Sequence, residues 1–358
     1  MPLRPEIARA EAFCAANGLR IPILLAPMAG ACPPALSIAV ANAGGLGGCG
    51  ALLMQPAAIK VWASETRAAS NGAFQLNLWI PDPPPARDPA AEARVRAFLG
   101  AWGPEVSANA GDASPADFDA QCEALLEAGP PVISSIMGLY PPAFVARTKQ
   151  RGIKWFATVT TVAEAKAACE AGADAVVAQG MEAGGHRGAF DAGKAEAAMV
   201  GLFALLPAVA DAVTVPVIAS GGIADARGVA AALLLGASAV QIGTGFLRCP
   251  EANLNPAWAD AIGRTPPEQT LLTRAFSGRP GRAVATSYAR AAAAPDAPPS
   301  APYPVQRGLT QAMRDAAGKA NDIERMQAWA GQSAQMAQAR PAGEVAVGLW
   351  NEARRLLP

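Results

Sequence analysis

The sequence predicts an α/β chain, a parallel (β/α)8 barrel with a small helical cap inserted after strand eight. Three observations predict it. Short, continuous apolar runs alternate with alanine-rich stretches of helix length over residues 5–245, as expected for strands buried on both faces and joined by crossover helices. One plan also recurs. SIAVANAGGLGGCG, AKAACEAGADAVVAQG and AALLLGASAVQIGTG each carry an alanine-rich helix, a glycine, a small residue, a short strand and a glycine. Finally, the helix-ending glycines Gly44, Gly172 and Gly236 are spaced in multiples of about 32 residues, the length of one βα unit. Eight such units close a barrel of about 250 residues. An open doubly wound sheet is the competing architecture.

Taken in order, residues 5–18 read as an amphipathic helix closed by Gly18. IPILLAPM (21–28) is the first strand, 33–45 a helix, and GLGGCG (45–50) a second strand weakened by its glycines. A helix over 56–70 leads to FQLNLWI (74–80), the third strand. Residues 81–116 break the rhythm, with proline-rich PDPPPARDPA and polar ANAGDASPADF, and read as an irregular excursion. A helix to Gly129, PPVISSIMG (130–138), a short helix and KWFATVT (154–160) supply strands four and five. Thr161 and Glu164 have capping-box spacing at the head of a helix over 161–172. ADAVVAQG is strand six, 194–211 a helix, VTVPVIASGG (213–222) strand seven, 224–236 a helix and ASAVQIGTG (237–245) strand eight. Residues 250–340 then read as a mostly helical cap (256–263, 308–319, 321–338) with no evident strand, and 342–356 as the last barrel helix. The barrel is therefore expected over 1–249 and 341–358.

Composition narrows the function. Hydrophobic residues make up 52% and charged residues 16% of 358 residues, as in a globular chain. Twenty-nine basic residues balance 29 acidic ones, so the basic face needed for nucleic acid or an anionic membrane is not expected. Six scattered cysteines, none in a C-x-x-C pair, and a single histidine argue against a zinc site. The N-terminus lacks a signal-peptide run, and the apolar stretch 21–54 is broken by prolines and glycines. A cytoplasmic protein is expected, with homo-oligomerisation left open.

In such a barrel the loops at the carboxyl ends of the strands build the site. The only histidine, His186, stands in one of them, QGMEAGGHRG (179–188). An imidazole there can act as a general base, or the segment is simply a turn that contains a histidine. Glu182 and Arg187 could orient the ring; Arg187 reads better as a solvated charge. Strands seven and eight end in Gly221-Gly222 and Gln241-Ile242-Gly243-Thr244. Bare backbone amides at this place commonly hold a phosphate. Ala26 and Met28 end strand one, and the amide side chains of Asn77 and Gln179 suit the edge of a heteroaromatic ring or serve as ordinary polar core groups.

These residues match a known family. APM in strand one, QLNLW around Asn77, QGMEAGGHRG, PVIASGG, and VQIGTGFL followed by FSGRP together resemble the nitronate monooxygenases across nearly the whole chain. The resemblance implies a TIM barrel that binds FMN through Asn77, Gln179, Gly184, Gly221, Gly222 and the run from Gln241 to Thr244, with Ala26 and Met28 near the ring. It implies that His186 is the base. It further implies that alkyl nitronates are oxidised by O2, one electron passing to the flavin, without reduced nicotinamide. Enoyl-reductase and quinone-reductase enzymes share a Gly-Gly-His loop on this barrel, so an FMN-dependent NAD(P)H oxidoreductase is the alternative. The sequence departs from the family in strand four, where members often carry a polar residue and Ile136 stands here. In the cap, Tyr288 and Tyr303 are candidates to reach the pocket.

Overall fold

A computed structural model describes residues 4–357. Residues 1–3 and 358, which the expected barrel boundaries include, lie outside the described residues. The strands are β1 (Ile23–Leu25), β2 (Gly47–Gly50), β3 (Phe74–Trp79), β4 (Val132–Ile136), β5 (Lys154–Val159), β6 (Ala175–Gln179), β7 (Gly185–His186), β8 (Val217–Ser220), β9 (Ala239–Ile242), β10 (Thr270–Thr273) and β11 (Gly281–Val284).

Eight of these form one all-parallel sheet in the order β1-β9-β8-β6-β5-β4-β3-β2. Its ends meet. Leu25 N–H donates to the Leu46 carbonyl at 2.8 Å and Leu46 N–H to the Ile23 carbonyl at 3.1 Å, beside a parallel bridge between Leu24 and Leu46. The strands follow sequence order around the ring with no reversal, so the architecture is the TIM barrel and not the open doubly wound sheet.

Alternation along the strands sorts inside from outside. Val177 joins Leu24, Val132, Phe156, Ile218 and Ala239 in one cluster, while its neighbours Val176 and Ala178 pack with the surrounding helices. The helix Pro5–Asn17 contributes Phe13 and Cys14 to the inner cluster, with Phe13 6.2 Å from the Phe156 ring. Apolar side chains thus fill one end of the barrel. Toward the carboxyl ends the inward positions become polar: Gln75, Asn77, Ser134, Thr158, Gln179 and Gln241 are all buried. Gln75 Nε2 donates to the Leu25 carbonyl and to Gln241 Oε1 at 3.1 and 3.0 Å, tying the layer together beneath the mouth. The helix Ala342–Leu356 packs against the helices Pro34–Asn42 and Ala226–Leu234.

Five expectations are corrected. The stretch 81–116 is not wholly irregular: Pro89–Leu99 is a helix, started by Asp88, whose carboxylate accepts from the N–H groups of Ala90 and Ala91. The helix expected over 194–211 is only Leu202–Ala210. Its alanine-rich front half is held in turns, where Arg274 donates to the Ala192 carbonyl and to both Glu196 oxygens. Residues 250–340 contain strands: β10 and β11 form an antiparallel hairpin, and β11 also pairs with β7. The helix expected over 321–338 is absent; only single 3-10 turns, Ile323–Arg325 and Ala334–Met336, occur there. The 308–319 helix is two pieces, Val305–Leu309 and Gln311–Ala320.

Candidate active site

The loop 180–188 carries the histidine because three separate contacts pin it over the barrel mouth. Gln179 Nε2 donates to the His186 carbonyl at 3.1 Å, and Gln179 Oε1 accepts from Gly188 N–H at 2.8 Å. β7 then pairs with β11, Gly185 opposite Arg282 and His186 opposite Gly281. Gly184 lies against Gly331, where a side chain would not fit: an added Cβ would sit 2.5 Å from Gly331 N.

The charges flanking the histidine do different work from that expected. Arg187 is not solvated but 1% exposed, and its guanidinium donates to the Gly180 carbonyl at 2.6 Å. Its Nε has no partner among the described residues, and burial lowers its pKa to about 10. Glu182 turns away from the ring: both carboxylate oxygens accept from Leu202 N–H, at 2.9 and 3.1 Å, and so cap the helix Leu202–Ala210.

His186 faces a cavity of about 340 Å3 at the carboxyl ends of the strands. All the predicted site residues line it: Ala26, Met28, Asn77, Gln179, Gly184, His186, Gly221, Gly222, Gln241, Ile242, Gly243 and Thr244. Ile136 lines it too, and Thr158 supplies a hydroxyl nearby. The ring is clamped edge-on between Trp79 and Trp329, with centroids 4.6 and 4.8 Å away. Nε2 lies 2.7 Å from Ser277 Oγ, whose oxygen also accepts from Arg279 N–H at 3.3 Å. No protein group among the described residues bonds Nδ1. Burial, reinforced by Arg279 and Arg307, pushes the imidazole pKa down to about 3, so the ring is neutral at pH 7.

Two cations frame the cavity from the segment 250–340. Arg314 is held by the Arg307 carbonyl, Gln311 and Gln327. The Arg307 guanidinium lines the cavity with no hydrogen-bond or ion-pair partner among the described residues. Tyr303 reaches the cavity, as anticipated. Tyr288 does not: it is buried among Phe98, Trp102 and Phe276, with its hydroxyl donating to the Ala275 carbonyl. Ser277, Trp329, Arg307 and Arg314 are the wall residues that sequence reading missed. FSGRP, next to the hairpin, was the only local signal for any of them.

Known proteins resemble this chain in sequence and fold. The family model described as nitronate monooxygenase matches residues 13–352. A nitronate monooxygenase from Paraburkholderia phytofirmans is 37% identical over 345 residues, covering 94% of this chain and 93% of that protein. The solved structure of a nitroalkane oxidase from Streptomyces ansochromogenes superposes with a TM-score of 0.85 at 36% identity, covering 96% and 98% of the two chains. FabK from Thermotoga maritima gives 0.76 at 29% identity, covering 96% of each. A family match over nearly the full length, together with a neutral histidine over the mouth of a parallel barrel, identifies the chain as an oxidoreductase of the nitronate monooxygenase family.

Proposed function

We propose that this enzyme binds FMN and oxidises small alkyl nitronates with O2, with His186 as the base that admits neutral nitroalkanes. The observation that carries the reading is a neutral imidazole, its Nδ1 without a partner among the described residues, in the wall of a cavity that Arg307, unpaired among the same residues, also lines.

The residues present fit the cofactor. The N–H groups of Gly221, Gly222, Gly243 and Thr244 have no protein acceptor among the described residues. Gly221 and Gly222 have φ of +107° and +69°, which favours glycine and leaves the amides bare. These two loops are therefore a cradle for the phosphate, to which Thr244 can add its hydroxyl. Asn77, Gln179 and Gln241 would meet the polar edge of the ring, and Ala26 and Met28 its apolar face. Bound FMN supplies the one-electron redox chemistry that couples nitronate oxidation to O2.

The chain's own groups account for the rest. A neutral imidazole can accept the proton α to a nitro group, whose charge spreads onto the nitro oxygens. Ser277 at Nε2 fixes the ring's plane: its hydroxyl donates to the Arg279 carbonyl at 3.2 Å, so its oxygen can accept from Nε2–H, the tautomer that leaves Nδ1 unprotonated and able to act as the base. Arg307 supplies positive potential for the anion. Trp79 and Trp329 exclude water from both sides of the ring. The same cavity on a FabK-like barrel leaves reduction by a nicotinamide as the competing reading, and the two predict different reductants.

The test is oxygen uptake by the purified protein with ethyl nitronate and with nitroethane, alongside identification of the flavin released on denaturation. FMN with nitronate-dependent uptake supports the reading. FAD, no flavin, or uptake driven only by NADH contradicts it.

A further inference from the structure

A second cavity adjoins the one beneath His186. It has a volume of about 440 Å3 and is built by the proline-rich stretch after β3. Leu52, Trp79 and Tyr303 line both spaces, so the two meet at a shared wall. The second space is otherwise walled mainly by apolar groups, among them Ile80, Pro83, Pro115, Phe118 and Val305.

Its charges are already satisfied. Asp82 accepts from Arg279 Nε and Nη2, both at 2.7 Å. Arg87 donates to Glu92 at 2.5 and 2.7 Å and to Asp112 at 2.9 Å. Every charged side chain that the described residues place on this wall is therefore paired inside the protein, and none of them offers a free charge to a polar ligand. Its amide, Gln121, is likewise spent on the carbonyls of Ala51, Leu52 and Met54. What remains, apart from the Ser114 and Tyr303 hydroxyls, is mostly apolar surface, which favours hydrocarbon. The Tyr303 hydroxyl has no hydrogen-bond partner among the described residues to lock the separating ring, which lies against Trp79 with ring centroids 5.3 Å apart.

We infer that this second cavity is a subsite for the hydrocarbon tail of an extended substrate. The nitro end sits beneath His186 and the chain passes the Tyr303–Trp79 wall into the space built by 80–118. This rests on the nitronate reading above. It makes the insertion after β3 a determinant of chain length.

Two series on the flavin-loaded enzyme test it. One is kcat/KM for the nitronates of 1-nitroethane through 1-nitrooctane. The other is Kd for n-alkanols from butanol to decanol by calorimetry, which needs no turnover. Each methylene that enters the subsite should improve both by up to about fourfold, the transfer value of a CH2 group. Ala113 and Ala116 also line the second cavity and not the first; Ala116→Phe and, independently, Ala113→Phe should flatten both series for long chains while leaving 1-nitroethane nitronate within about twofold of the unsubstituted enzyme. A flat alkanol series, or a slope that neither substitution changes, overturns the subsite. A sloping alkanol series that the substitutions flatten, with no nitronate turned over, supports the apolar-tail subsite and removes the nitronate chemistry instead.

Discussion

At the scale of single residues, His186 is distinguished less by its position than by its charge state. An imidazole free in water titrates near pH 6.5, but here burial and two arginines hold it neutral down to about pH 3. Activity toward neutral nitroalkanes should therefore show no loss through pH 6.5 on acidification to about pH 5; a titration near 6.5 in kcat/KM would contradict this environment. Stability has the same origin. Because the folded pKa lies below the unfolded one, the unfolded chain binds the extra proton between about pH 6.5 and pH 3, and the contribution is lost as the pH falls through that window. His186→Asn should abolish this slope in thermal unfolding, retain the flavin, and lower kcat/KM for nitroethane by about a hundredfold or more, the range of general base catalysis. Arg307→Met should raise KM for ethyl nitronate by about tenfold, as for loss of one charge-assisted contact, with flavin content unchanged. Arg187 was misread from sequence because its partners are backbone carbonyls, which leave no residue-type trace.

At the scale of elements, the loop 180–188 is braced from several directions. Glu182 caps the helix Leu202–Ala210 from outside its own sequence. Removing it in Glu182→Ala should cost about 1 kcal/mol, measurable in denaturant unfolding, with the flavin retained. Gly184→Ala should be worse despite adding one carbon, because the Cβ meets the rigid backbone at Gly331. Its expected signature is faster amide exchange in 184–188 and in 330–332, and unchanged exchange there would contradict the bracing. Most barrel strands were legible as short, largely apolar runs with glycine or proline near an end. The helix Pro89–Leu99 was hidden by the prolines before it, although Asp88-Pro89 is itself a start signal. The β10–β11 hairpin was hidden because both strands are short and GRAV also pairs with a two-residue strand nearly a hundred positions earlier.

At the scale of the whole molecule, the chain divides its chemistry between two sources. The carboxyl ends of the strands supply the bare amides and the side-chain amides, all in sequence-local motifs, and every one of these predicted residues lines a single cavity. The segment 250–340 supplies Ser277, Trp329, Arg307 and Arg314, which reach the same cavity only through tertiary packing. That difference explains why the strand-end side of the cavity could be read from sequence and the opposite wall could not. On the proposed reading it also locates the choice of reductant: the cradle would serve any flavin enzyme on this barrel, and the groups contributed from 250–340 would decide what approaches the ring. The most direct measurement is anaerobic mixing of the purified protein with ethyl nitronate or with NADH while the flavin absorbance is followed. Rapid loss of the oxidised-flavin band with ethyl nitronate, and none with NADH, is the predicted result; bleaching by NADH with no response to nitronate would contradict the account.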